Sequence, residues 1–337
     1  MHVLTIGGAG QLGHFILKHL ASEGHQLSVI GMGDPPEEGY LPHGTHFIDC
    51  DAEKATEKEL QKHFKGVDTV IHAAGADGRN MFPRPAIEGF RRANVLPIPR
   101  IINAMKHAGA AKLVILGSYY TAMHRVFTAL NLPAKSAYIH SRVEQTEVAF
   151  EHAGADVDVA VLELPYIFGA APGRGTLWGF YIDSLKNCSG TLSVHAGGSA
   201  CITMNQVGLA AAHAAVYTTG HKCYPLGNQN LKYAEIFQLF AEALNISCEI
   251  VTQSPEFFRQ GAEQNLEKLK AAGMESAYDP VGLLDIEDAL LYIDPLPAMQ
   301  ALDFQREDIA AAIRESVTAT LRHPGRGPGS LNSPDKK

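Results

Sequence analysis

The chain has 337 residues, 46% of them hydrophobic and 19% charged, with 36 acidic against 28 basic side chains and a net charge of −8. This composition supports one large core or two intimate ones and excludes general disorder. The acidic balance is diffuse and no Lys/Arg run interrupts it, which argues against nucleic acid as a partner. No stretch reaches the ~18 uninterrupted apolar residues of a membrane span. The longest candidate, Val207–Tyr217, is short and contains His213.

The first element expected is a strand over His2–Ile6, preceded by no basic or long apolar leader, so no secretory signal is expected and the cytoplasm is the expected compartment. The glycine turn Gly7-Gly8-Ala9-Gly10-Gln11-Leu12-Gly13 follows at once and opens a helical pattern, Gln11–Ser22. Gly7 makes the turn, Gly10 lets backbone approach a pyrophosphate, and Gly13 lets helix and strand pack closely. The N–H groups at the helix start, from Gln11 and Leu12, complete an anion site. Placed between strand and helix, this motif predicts a nicotinamide dinucleotide.

Further β-type runs follow at Gln26–Ile30, His46–Ile48, Thr69–Ala73, Lys112–Leu116 and Val157–Leu162, with helical patterns over Glu57–Phe64 and Ile87–His107 between them. The alternation predicts a doubly wound parallel sheet of six or seven strands. Gly31 ends the second run where an acid normally takes the ribose hydroxyls of NAD, with Asp34 three residues on. No Lys or Arg lies between Lys18 and Lys54 to meet the 2′-phosphate of NADP, which favours NAD. Asp51-Ala52 reads equally as an adenine contact or as the N-cap of a helix over Ala52–Phe64.

Past Leu164 the rhythm breaks at Pro165 and the glycines up to Gly179. Helical patterns return at Asn205–Tyr217, Tyr233–Leu244, Pro255–Ala272 and Arg306–Leu321, and the Gly/Pro-rich tail from His323 has no periodicity. The expected division is a dinucleotide-binding domain over 1–163, rejoined by 201–230, a smaller and mostly helical substrate domain over 164–200 and 231–321, and a disordered tail over 322–337. The five cysteines, Cys50, Cys188, Cys201, Cys223 and Cys248, are odd in number and lack CxxC spacing. They read as free thiols, with no disulfide framework and no zinc site. No HxxxH or HExxH spacing occurs among the 16 histidines, and no metal is expected. His72, on a buried run, reads as a satisfied core residue.

Tyr138 and Arg142 are four apart on a helical pattern and share a face. A fixed cation beside a phenol favours the phenolate, which makes Tyr138 a general acid or base. Ser118, at a strand end, can hydrogen-bond the same substrate oxygen, whereas His140 points away. Tyr119, Tyr120, Tyr166, Phe168, Trp178, Phe180 and Tyr181 are candidates for an aromatic pocket, with ordinary core packing the competing reading.

Together these features resemble the extended short-chain dehydrogenase/reductase superfamily, in its epimerase/dehydratase-like branch. Val70-Ile71-His72-Ala73-Ala74, Asn94, Val114–Ser118, Tyr138–Arg142 and Leu164-Pro165-Tyr166-Ile167-Phe168-Gly169 carry the resemblance over roughly residues 1 to 321. It implies catalytic roles for Ser118, Tyr138 and Arg142. It also implies a cofactor surface from Gly7, Gly10, Gln11, Leu12, Gly13, Gly31, Asp51, Ala52, Ala73, Ala74, Asn94 and Pro165, with Arg142 on the nicotinamide ribose. A small-molecule substrate is implied, and a homodimer through the helices around Asn94 and Tyr138, to which the apolar content of Val95–Met105 is suited. The departure is Arg142, which stands where the family has Lys and cannot relay a proton.

Tyr119 and Tyr120 stand where the family's dehydratases carry an Asp-Glu pair. The stretch Ala200–Asn205 lacks the Arg-Asp that often serves a substrate diphosphate. The reading that results is an NAD(P)-dependent oxidoreductase acting on a carbonyl or secondary alcohol of a mainly apolar molecule. The alternatives are a sugar-nucleotide epimerase and, since Arg replaces Lys, a redox-silent dinucleotide sensor.

Overall fold

Short runs, aliphatic and buried in the five central strands, form a parallel sheet in the computed structural model, which describes residues 1–324. Its strands are β1 (His2–Ile6), β2 (Gln26–Gly31), β3 (His46–Asp49), β4 (Thr69–His72), β5 (Lys112–Ser118), β6 (Asp158–Leu164) and β7 (His221–Pro225). They lie in the order β7-β6-β5-β4-β1-β2-β3, a 7-stranded doubly wound sheet. The helices around it are α1 (Gln11–Ser22), α2 (Glu57–His63), α3 (Ala86–Asn94), α4 (Pro97–Ala108), α5 (Ala137–Ala153) and α6 (Met204–Tyr217). On one face Ile16, Leu17 and Leu20 of α1 meet Val207 and Ala211 of α6. On the other, Leu60 of α2, Ile98 and Ile101 of α4 and Ala149 of α5 share a second core. The late strand β7 pairs in parallel with β6 at the sheet edge.

Local chemistry moves several expected boundaries. The helical run Ile87–His107 is two helices, Ala86–Asn94 and Pro97–Ala108, the second opening at Pro97, which has no N–H to donate back to the preceding turn. The helix expected from Ala52 begins instead at Glu57, where Thr56 and Glu59 form a reciprocal capping box. The last helix starts after the Asp308 cap and runs over Ile309–Arg322, so Arg322 belongs to it and not to a tail. The rest of the expected tail, from residue 325, lies outside the described residues. In Val95–Met105, the stretch whose apolar content suits a dimer seam, Val95, Ile98, Ile101, Ile102 and Met105 are buried within the single chain. Leu96 alone in that stretch stands out, 55% exposed.

The C-terminal third carries strands as well as helices. Gly198–Thr203 pairs antiparallel with Gln229–Lys232 and parallel with Tyr166–Phe168. Met81–Pro83 pairs antiparallel with Met274–Ser276, which carries the late chain back to the tip of β4. Thr191–His195 pairs in parallel with Glu249–Gln253. That pairing sets Cys188 and Cys248, each just ahead of its strand, at a Cα separation of 6.5 Å, and they are joined as a disulfide. The expectation of five free thiols is thereby corrected to three, Cys50, Cys201 and Cys223. A pairing across 60 residues of sequence leaves no spacing motif to read. No described helix is long and apolar enough to cross a membrane.

Candidate active site

The glycine turn joins β1 to α1 at the carboxyl edge of the sheet. Gly7 has φ +80°, and a Cβ there would sit 3.1 Å from the Ala73 carbonyl, so β1 and β4 approach with no room for a side chain. A Cβ on Gly13 would lie 2.3 Å from the Gly8 carbonyl oxygen. Gly10 caps α1, and no side chain bonds the first N–H groups of the helix. Those donors and the positive end of the helix dipole form a cradle for phosphate. Ala73 and Ala74, beyond β4, are half-buried beside it. The residues present fit a dinucleotide.

At the tip of β2, Gly31 stands in place of the missing acid, and a Cβ there would press on the Phe47 ring at 3.0 Å. The carboxylate there comes from the next strand. Asp49 is the register partner of Gly31 and accepts from the Gly33 N–H at 2.7 Å. Sequence reading missed it because register between β2 and β3 is not visible in the chain. Asp51 is not the cap of a helix over Ala52–Phe64. It closes a turn, accepting from Glu53 N at 3.1 Å and from Lys54 Nζ at 2.8 Å. The Lys54 hydrogen bond holds its carboxyl below the ordinary range. Ala52 packs into the core beside Ala55, and Asp34 is exposed.

Ser118 ends β5, 2% exposed, and its Oγ accepts from Tyr120 N at 3.4 Å. Tyr138 stands in the first turn of α5, which Ser136 caps through Ile139 N at 3.0 Å. Its ring lies 5.9 Å from that of Phe90 and 6.0 Å from that of Tyr278. Among the described residues no hydrogen bond joins Ser118 to Tyr138. Arg142, one turn on, holds its guanidinium 5.5 Å from the centre of the Tyr138 ring. Its Nη1 donates to Gln145 Oε1 at 2.9 Å and to the Leu116 carbonyl at 3.4 Å, and its Nη2 donates to the Ala76 carbonyl at 3.0 Å. Nε is buried without a partner. Asn94, also buried, accepts from Ala76 N at 2.8 Å and donates to Ser141 Oγ at 3.0 Å.

Pro165 is buried between β6 and the strand Tyr166–Phe168, and His140 faces outward. His72 is buried as expected but not satisfied, since neither ring nitrogen has a partner. Burial, with Arg142 nearby, drops its pKa to about 4, so the ring is neutral.

The seven aromatic candidates divide. Tyr119 and Tyr120, with ring centres 4.5 Å apart, lie beside the site, and Ser199 donates to the Tyr119 hydroxyl at 3.1 Å. Tyr278, which sequence reading missed, joins them 5.9 Å from Tyr120, carried in by the strand Met274–Ser276. Burial pushes the hydroxyls of Tyr120 and Tyr278 well above the ordinary phenol range. Phe168, Trp178 and Tyr181 instead build the C-terminal core with Phe240, and Tyr166 stacks on Trp178 at its margin. Phe180 is 54% exposed, its ring beside Tyr181 at 4.4 Å.

A sequence model described as the NAD dependent epimerase/dehydratase family matches residues 3–193. The chain belongs to that family. It is therefore a nicotinamide-dependent enzyme of the epimerase/dehydratase type. No curated protein matches the chain by sequence. Solved structures share the fold. The one titled gox2253 has 15% identity and a TM-score of 0.73, covering 96% of this chain and 98% of its own. The UDP-glucose-4-epimerase of Stenotrophomonas maltophila, with bound NAD and formylated UDP-arabinopyranose, has 15% identity and a TM-score of 0.68 over 96% and 98%. The Bordetella bronchiseptica enzyme WbmH, in complex with NAD+, has 14% identity and a TM-score of 0.67 over the same shares.

Proposed function

We propose that this member of the family inverts a carbinol centre of a nucleotide-linked sugar by oxidising it to the ketone and reducing it again. The carrying observation is that Tyr138 and Ser118 come from α5 and the end of β5 to the carboxyl edge of the sheet, where the glycine cradle also opens. The Tyr138 hydroxyl has no hydrogen-bond partner among the described residues, so it is available to a substrate. The kinship with solved sugar-nucleotide epimerases favours this reading over the simple oxidoreductase.

The nicotinamide, when bound, accepts and returns the hydride. The chain does the rest. Tyr138 takes the hydroxyl proton as base and returns it as acid, and Ser118 donates to the same oxygen. Arg142 lies beside the phenol ring, its guanidinium 5.5 Å from the ring centre. Both of its terminal nitrogens hold backbone or Gln145, so Arg142 acts on Tyr138 and on the loop at Ala76 as a positioning residue rather than as a ribose anchor. Asn94 holds the same loop. Gln11 and Leu12 offer N–H groups to the pyrophosphate, and Ala73, Ala74 and Pro165 flank the cofactor. Asp49 at the β2 tip repels a 2′-phosphate, which favours NAD over NADP. Tyr119 and Tyr120 supply no acid–base pair of ordinary pKa, which disfavours dehydration.

A second reading, net oxidation or reduction of a mainly apolar alcohol, is favoured by the phenol stack of Tyr119, Tyr120 and Tyr278. Incubation with NAD and UDP-hexoses, followed by product analysis by NMR, separates the two. Inversion at one carbinol carbon, with no build-up of reduced cofactor, supports epimerisation. Stoichiometric reduced cofactor with a ketone product overturns it.

A further inference from the structure

The glycine turn Gly7–Gly13 carries no basic residue of its own, and Arg174 comes toward it from elsewhere in the chain. The loop after the strand Tyr166–Phe168 folds over the start of α1. Gln11, the first residue of α1, spans this loop with its carboxamide. Its Nε2 donates to the Gly175 carbonyl at 2.7 Å, and its Oε1 accepts from Ala171 N at 3.5 Å. Arg174 lies between those two anchor points. Its guanidinium rests 5.1 Å from the centre of the Tyr40 ring. The Tyr40 hydroxyl donates to the carbonyl of Gly10, the cap residue of α1, at 3.2 Å. His14 of α1 donates from Nδ1 to the Tyr40 carbonyl at 2.8 Å, so the whole platform is fixed to one helix end.

No ion pair joins Arg174 to a carboxylate among the described residues. An arginine with no carboxylate partner among the described residues is thus held, through Tyr40, near a helix N-terminus that no side chain caps, itself a positive dipole end. Two positive groups brought together cost free energy unless an anion bridges them. A guanidinium fork matches the geometry of phosphate oxygens.

We propose that Arg174 is the cation that holds the pyrophosphate of the dinucleotide, reaching it from the loop that Gln11 ties to α1. The assignment rests on the cofactor reading and is independent of the substrate. A chain that turns over no sugar nucleotide still gives a valid binding test.

The test is calorimetric titration of the full-length protein with NAD and NADP in the absence of substrate. Arg174→Ala should weaken both at least about tenfold and by similar factors, ~1.4 kcal/mol each. Its thermal unfolding should match the wild type, since Arg174 is half-buried on a loop. Arg174→Lys keeps the charge and should recover part of the loss. Adenosine, which has no phosphate, should bind both proteins alike. Wild-type affinity for both dinucleotides in Arg174→Ala overturns the proposal. So does a loss confined to NADP, which would give Arg174 to the 2′-phosphate. So does an unchanged NAD affinity with a raised KM for a nucleotide-linked substrate, which would give it to the substrate's diphosphate.

Discussion

Arg142 and Asn94 donate to one and the same acceptor, the carbonyl oxygen of Ala76, at 3.0 Å and 3.1 Å. The loop after β4 is therefore fastened to α5 and α3 at a single peptide. Arg142→Met removes one of these donors and strips Gln145 Oε1 and the Leu116 carbonyl of theirs. Each buried acceptor left unpaired costs about 1–3 kcal/mol. Calorimetry should record a Tm lower by several degrees, whereas an unchanged Tm would remove the structural role assigned to Arg142. Arg142→Lys keeps the charge without the fork, and turnover should stay within about tenfold of wild type.

His72 makes acid stability a direct readout of the site's floor. Its pKa is about 4 in the folded chain against 6.5 as the ordinary value, so only the unfolded chain takes a proton between those limits. Stability is complete above pH 6.5 and is lost as pH falls toward 4. The size is roughly 3 kcal/mol for a shift of this order. Denaturant melts across that window should be flatter for His72→Leu than for wild type. Parallel pH profiles would show that His72 does not titrate this way.

Much of this was legible in the chain. The glycine turn after β1, the alternation up to β6 and the i, i+4 pair Tyr138 and Arg142 are local signals, and periodicity and spacing carry them. Asp49, Tyr278 and the Cys188–Cys248 bond were not legible. Each depends on which distant strands pair: Asp49 on the register of β2 with β3, Tyr278 on Met81–Pro83 meeting Met274–Ser276, and the disulfide on Thr191–His195 meeting Glu249–Gln253. The helix boundary near Asp51 failed for a different reason. Asp51 and Thr56 both have cap chemistry, and the reciprocal Glu59 bond decides for Thr56. The spacing of Tyr138 and Arg142 gives only the shared helix face and not the Ala76 and Leu116 carbonyls that the Arg142 fork finds.

The disulfide ties the end of the helix Gly179–Lys186 to the strand Glu249–Gln253 across 60 residues. In the chain-entropy picture, closing a loop of that length stabilises by roughly 4 kcal/mol. A dithiol should lower the Tm of the wild type and leave Cys188→Ser unaffected. Equal melts for oxidised and reduced protein would contradict the bond's contribution.

Gly13→Ala tests the close approach of α1 to the turn. The added Cβ would sit 2.3 Å from the Gly8 carbonyl oxygen, a backbone atom that cannot swing away. NAD titration should show binding reduced at least about tenfold along with a lower Tm. Wild-type NAD affinity would mean that the turn is not the pyrophosphate cradle.

The central claim is that the chemistry is hydride removal and return at a carbinol carbon with Tyr138 as acid and base. The direct test is to run the UDP-hexose reaction with NAD in heavy water and read the inverted carbon by NMR, for wild type and Tyr138→Phe. The account predicts inversion without solvent deuterium at that carbon, and a rate reduced ~10²–10⁴-fold in Tyr138→Phe with NAD affinity unchanged. Solvent deuterium at the inverted carbon, or a Tyr138→Phe variant as fast as wild type, would contradict it.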